Sequence, residues 1–197
     1  EFRRVLFRSV KKNIWVLGYS DPTSLLYILT TKYDLSTIYG LNGKSFFDKP
    51  LFTYQKNNLE LLKGNLITQK NYDNDLKSIN GNFKDSGIII GGCLDVIKNI
   101  IGTIYDNTIN FIEKYKNNGI IWYFDIYSMT SLDVYLTLLQ LKNIGWFKYS
   151  KTFIIGKVLI KNEDLDLTYF DAYKNALNTN IVYDTKSIES DKNILFC

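Results

Sequence analysis

The chain has no histidine, only two prolines and two cysteines, and no arginine beyond its eighth residue. Each scarcity narrows what the protein can be. Without histidine, the usual general base of a hydrolase and the commonest metal ligand are both missing. Cys93 and Cys197 are too few and too far apart for a disulfide framework, and no Cys-x-x-Cys pair offers a metal site. A reduced, cytoplasmic setting is the default that follows, with no cofactor and no metal expected. No run approaches the roughly 18 apolar residues of a membrane span, so no membrane partner is expected.

The arginine pattern says something else. Arg3, Arg4 and Arg8 all fall in Glu1-Phe2-Arg3-Arg4-Val5-Leu6-Phe7-Arg8-Ser9. Back-translated as GAG TTC AGA CGT GTG CTC TTC CGA TCT, this stretch looks like a short-read sequencing-library adapter, and such scars are set aside before reasoning about fold. Residues 1–9 are therefore expected to be an artefact, with the reading frame starting inside a gene; a signal peptide upstream stays open. Removing three arginines and one glutamate lowers the formal charge from +4 to +2, so the basic balance supports no nucleic-acid partner.

What is present suffices for a real core. Apolar residues make up 46% of the chain, with Ile, Leu, Tyr and Phe plentiful. Residues 13–17 predict a buried strand, Thr23 to Thr31 a helix opened by Asp21-Pro22, and Ser36 to Tyr39 a second short strand. The polar stretch from Leu41 to Asp85 holds one helical piece around Leu59 and Leu62 and otherwise reads as linker. Beyond it, Ile88-Ile89-Ile90 predicts a strand ending at Gly91-Gly92, with helical spacing from Leu94 to Ile101. A helix over Asn107 to Tyr115 and the strand Ile120 to Phe124, ending on Asp125, come next. Thr130 to Leu141, Phe153 to Gly156, Tyr169 to Leu177 and Ile181 to Asp184 continue the helix-strand alternation. That order predicts an α/β architecture with largely parallel sheets.

Chemistry concentrates in Gly18-Tyr19-Ser20-Asp21-Pro22-Thr23. An apolar strand, a Gly-x-Ser turn and an immediate helix present a serine hydroxyl clear of the backbone, beside free N–H groups and the positive end of the helix dipole. The competing reading is a serine at an ordinary helix start. Pro22 also stands where the nucleophile elbow of an α/β-hydrolase carries its third glycine, which argues against a lipase or esterase. Asp125 ends a strand, where α/β proteins place functional groups, or else caps a turn. Gly91-Gly92 could let backbone approach a ligand or simply start a helix; GGCLDV has neither phosphate-loop nor dinucleotide spacing. Tyr19, Tyr39, Trp122 and Trp146 could line a cleft, but only Tyr19 and Tyr39 are expected beside the site, and Trp122 reads as core.

These segments together resemble a family. KNIWVLGYSDPTSLL, TIYG, GIIIGGCLDVIKNIIGT, GIIWYFD and LTLLQLKNIGWFKYSKTFIIGKV follow the order found in LD-carboxypeptidases and their microcin C self-immunity relatives, over nearly all of Val10 to Asp184. The resemblance implies a serine peptidase with a Ser-Glu-His triad on a two-domain α/β fold. Residues 10–50 would be the remnant of an N-terminal Rossmann-like domain bearing the nucleophile turn, 51–86 a linker, and 87–197 a C-terminal α/β domain. It further implies Ser20 as nucleophile and Asp125 as the acid, where the family usually has glutamate. The Asp21 N–H becomes an oxyanion donor, and Tyr19, Tyr39, Gly91 and Gly92 become cleft candidates. The implied substrate is a murein tetrapeptide or a peptidyl-nucleotide amide, in peptidoglycan recycling or antibiotic-peptide immunity, and the intact parent is expected to be a homodimer.

The family's histidine follows a late strand and a short turn. Here Ile181-Val182-Tyr183-Asp184-Thr185 matches the strand, but Lys186-Ser187-Ile188-Glu189 stands where the turn should be. A truncated or frameshifted tail after Thr185, a degenerate binding-only homologue, and a substituted lysine are the three explanations. On each of the first two, this chain alone is expected to be inactive.

Overall fold

The computed structural model describes residues 15–47, 49–65, 76–79, 84–177 and 179–184. The expected adapter remnant, the first residues of the expected strand 13–17, and the tail with Cys197 lie outside the described residues.

Most of the chain is organised by one five-stranded sheet. Its strands are β3 (Leu76–Ser78), β4 (Ile88–Cys93), β5 (Ile120–Ile126), β6 (Ser150–Val158) and β7 (Asn180–Asp184), in the order β3-β7-β6-β5-β4. The four later strands are mutually parallel, and β3 is antiparallel to β7 at the edge. Parallel neighbours need crossovers, and helices supply them. The single-turn α3 (Leu94–Ile97) and α4 (Thr108–Lys114) link β4 to β5, α5 (Ser131–Asn143) links β5 to β6, and α6 (Tyr169–Ala176) links β6 to β7. Both longer crossover helices start on a capping threonine: Thr130 Oγ1 accepts from Asp133 N, and Thr168 Oγ1 from Asp171 N.

β5 reads as one apolar run because both its faces are covered. Trp122 and Phe124 point into the main core with Phe153, Ile155, Leu138 and Trp146. Rings stack continuously there, from Tyr27 to Trp146 to Trp122 to Phe124, at centroid separations of 5.6, 6.0 and 5.8 Å. Between them Tyr123 points to the opposite face and joins Leu26 and Tyr39 in a small second cluster. That alternation brings the N-terminal segment onto the sheet.

The N-terminal segment is one parallel β-α-β unit. β1 (Leu17–Gly18) pairs with β2 (Ile38–Tyr39), with α1 (Thr23–Tyr33) between them. Helix α1 docks through polar bonds that span the chain. Tyr27 and Thr108 share a buried hydroxyl pair at 3.0 Å, Asn107 Nδ2 donates to Thr31 O, and Tyr115 OH donates to Asp34 Oδ1.

Several local expectations need correction. Strand pairing at Ser36 to Tyr39 is confined to Ile38 and Tyr39. Gly91-Gly92 lies inside β4 rather than past its end, and the expected helix from Leu94 to Ile101 is a single turn followed by further turns. Asp21 does not cap α1 with its carboxylate. The cap position falls on Pro22, and it is the Asp21 carbonyl that accepts from Ser24 N and Oγ. Within the expected linker, α2 (Thr53–Leu62) was legible, but β3 was not. Three residues with one apolar side chain carry no alternation to read.

Candidate active site

The turn between β1 and α1 is strained at one residue. Ser20 has φ of 63°, in the left-handed region that costs a side-chain-bearing residue about 1–3 kcal/mol unless its surroundings impose it. Here they do. A Cβ on Gly18 would come within 2.7 Å of Pro22 Cβ, so only glycine lets the chain double back so tightly. Thr23 N donates to Ser20 O at 2.9 Å, closing the turn into the helix. From the other side, β2 and the segment after it hold the turn: Tyr19 N donates to Asn42 Oδ1 at 3.1 Å and Ser20 N to Tyr39 OH at 3.2 Å. Among the described residues, the Asp21 N–H makes no hydrogen bond, and Asp21 is exposed at the helix start.

Asp125 stands at the carboxyl end of β5, half-buried, with Cys93 opposite it on β4. The β5–β6 ladder shifts register between Phe124 and Ile126, so two β6 residues face Asp125 alone. A bulge of this kind re-aims a side chain. Its Oδ2 accepts from Tyr39 OH at 2.8 Å. One buried phenol thus touches both the Ser20 turn and the Asp125 carboxylate.

Burial pushes the Asp125 carboxyl above the ordinary aspartate range. The hydrogen bond from Tyr39 works against that rise, while the nearby Asp95 charge adds to it. Tyr39 itself is held far above a normal phenol, first by burial and then by the charge of Asp125, so it is a neutral donor and not a base. Cys93 is buried, and its thiol is pushed up to about 12 by burial and then by Asp95 and Asp125, which rules out a thiolate at neutral pH. Asp95 also braces the backbone. Its carboxylate accepts from Tyr127 N at 2.9 Å and Ser128 N at 3.1 Å, fixing the chain just after β5.

Of the residues singled out from sequence, Ser20, Asp21, Tyr39 and Asp125 converge. Tyr19 joins the small second cluster beside Tyr39. Gly91 and Gly92 do not open space for a ligand. Both are buried, a Cβ on Gly91 would overlap the Tyr123 carbonyl, and one on Gly92 would overlap the Thr23 methyl. They let α1 and β5 approach β4. Trp122 and Trp146 are core, as Trp122 was expected to be. Sequence reasoning missed Asn42 and Asp95, and it read Thr23 only as a helix start, not as the residue whose Oγ1 accepts from Cys93 N at 3.1 Å. Only the geometry reveals them, since each is an ordinary polar residue without a diagnostic spacing. Among the described residues, no three His, Cys, Asp or Glu side chains gather to hold a metal, and no helix is long and apolar enough to cross a membrane.

The family model for the LD-carboxypeptidase C-terminal domain matches residues 86–194, more than half of the chain. The chain belongs to the LD-carboxypeptidase family. Solved structures agree on the fold of this family member. MccF in complex with glutamyl sulfamoyl guanosine superposes with a TM-score of 0.70 at 17% identity, covering 95% of this chain and 62% of that one. Muramoyltetrapeptide carboxypeptidase from Oxalobacter formigenes gives 0.68 at 15% identity, over 99% of this chain and 65% of that one. An MccF-like protein from Streptococcus pneumoniae in complex with AMP gives 0.61 at 21% identity, over 93% and 68%. This LD-carboxypeptidase chain thus spans about three fifths of the length of the first of them. No curated protein sequence matches it.

Proposed function

We propose that the chain carries the nucleophile and the acid of a serine peptidase that cleaves a peptide or amide bond by acyl transfer. The observation behind this reading is the convergence of the strained Ser20 turn and the Asp125 carboxylate on one phenol. Ser20 Oγ would attack the carbonyl. The Asp21 N–H would stabilise the oxyanion, being the donor just after the nucleophile. Asp125 would orient a histidine that takes the Ser20 proton and returns it to the leaving group. The sequence holds no histidine, so the chain alone lacks the base that this mechanism uses to activate Ser20 and is expected not to turn over.

Substrates of the intact protein would be murein tetrapeptides or peptidyl-nucleotide amides, in the cytoplasm, with the protein acting as a homodimer. The amide reading is supported by related MccF structures, one of them in complex with aspartyl sulfamoyl adenosine. The second reading, favoured by the lack of histidine, is a binding module that keeps the cleft for such ligands without cleaving them. Reading the source gene beyond codon 184 and assaying its full product on both substrate classes separates the two. A histidine shortly after Asp184, with hydrolysis, supports the peptidase. A complete gene without one, whose product binds aspartyl sulfamoyl adenosine and cleaves nothing, supports the module.

A further inference from the structure

Tyr39 occupies a position that a merely buried tyrosine would not need. Its ring is secured from both sides of the sheet junction: β2 pairs with β1 at Gly18↔Tyr39, and the ring lies 5.4 Å from that of Tyr123 on β5. A buried hydroxyl requires a partner, but any carbonyl or water would satisfy it. Here it has two, and they are the two groups singled out for chemistry. It accepts from Ser20 N at 3.2 Å and donates to Asp125 Oδ2 at 2.8 Å, with only 4% of the residue exposed.

We propose that Tyr39 is a positioning residue that ties the nucleophile turn to the acid, fixing both the Ser20 backbone and the Asp125 carboxylate through one hydroxyl. Two consequences follow from the geometry. Tyr39 consumes the Ser20 N–H and Asn42 consumes the Tyr19 N–H, so oxyanion duty in this turn falls to the Asp21 N–H alone. Tyr39 also supplies the Asp125 carboxylate with a donor, which counters the burial and the Asp95 charge that favour its neutral form.

The alternative is that the phenol only fills space between β2 and β5. A phenyl ring would then do as well, and Asp125 would not register its loss. The role of Tyr39 rests on reading Ser20 and Asp125 as nucleophile and acid, but the test follows hydrogen bonding and not turnover, so either can fail alone. Carboxyl ¹³C NMR of the 197-residue chain would follow the titration of Asp125 in wild type, Tyr39→Phe and Tyr123→Phe. The expected result is a midpoint at higher pH in Tyr39→Phe, with the Ser20 amide exchanging at least tenfold faster, and a wild-type midpoint in Tyr123→Phe. An unmoved midpoint in a folded Tyr39→Phe overturns the proposal. Should that variant not fold, the wild type still decides: the Tyr39 Cζ shift must follow the Asp125 midpoint, and a Cζ signal indifferent to that titration overturns it.

Discussion

Replacing Gly92 by alanine tests how the candidate site is joined to the sheet. Gly92 has φ of +144°, where a side-chain-bearing residue is strained by about 1–3 kcal/mol. The added methyl also meets the Cγ2 of Thr23, the first residue of α1, in a buried contact. Overpacking of that kind costs a further 1–3 kcal/mol or so. The sum, about 2–6 kcal/mol, is a large part of the stability of an ordinary domain. The two contributions can be separated. Thr23→Ser removes the clashing methyl yet keeps the hydroxyl that accepts from Cys93 N. Alone it should cost about 1 kcal/mol for one buried carbon. In the double variant it should return the steric share and leave the backbone share, a coupling of about 1–3 kcal/mol. Urea unfolding followed by circular dichroism measures all four proteins. A Gly92→Ala variant within about 0.5 kcal/mol of wild type, or a coupling of zero, would refute the packing described here.

Ser20→Gly should stabilise the chain by about 1 kcal/mol, because glycine accepts φ of 63° without strain and returns only part of the gain through a freer unfolded state. A destabilised variant would mean that the turn is not strained. For Asp125 the folded-state carboxyl is raised, so its contribution is most favourable at acid pH and is lost as pH rises through the ordinary aspartate value toward the folded one. Asp125→Asn should therefore be more stable than wild type at about pH 7, and the difference should vanish on acidification below about pH 3.8. A difference that grows on acidification contradicts the assigned direction. Thr130→Ala should cost about 1 kcal/mol by removing the cap of α5, read from the thermal midpoint.

The alternation of strands and helices was legible because β4, β5 and β6 are built on apolar runs next to glycines and because Leu132, Leu136 and Leu139 recur at helical spacing in α5. Thr-x-x-Asp at 130–133 and at 168–171 is a sequence-level signature, and both helices start there. β3 was illegible for the opposite reason: at three residues it draws its stability from pairing with β7, not from its own pattern. Gly91-Gly92 misled because a glycine pair after isoleucines looks like the end of a strand. In the fold those glycines are where a neighbouring helix and a carbonyl come too close for any side chain. The site divides along the same line. Ser20 was a candidate from a local turn and Asp125 from a strand end, but the bond that links them runs from Tyr39 to Asp125 across 86 positions, and no spacing encodes it.

The central claim is that Ser20 is the nucleophile of an amide-cleaving protein, and single-turnover hydrolysis by the product of the complete gene tests it most directly. With Ser20→Ala beside wild type on an aspartyl-nucleotide amide and a murein tetrapeptide, at least one substrate should be cleaved, and the variant should lose about a thousandfold or more in rate while still binding. Equal rates for the two proteins would contradict the claim.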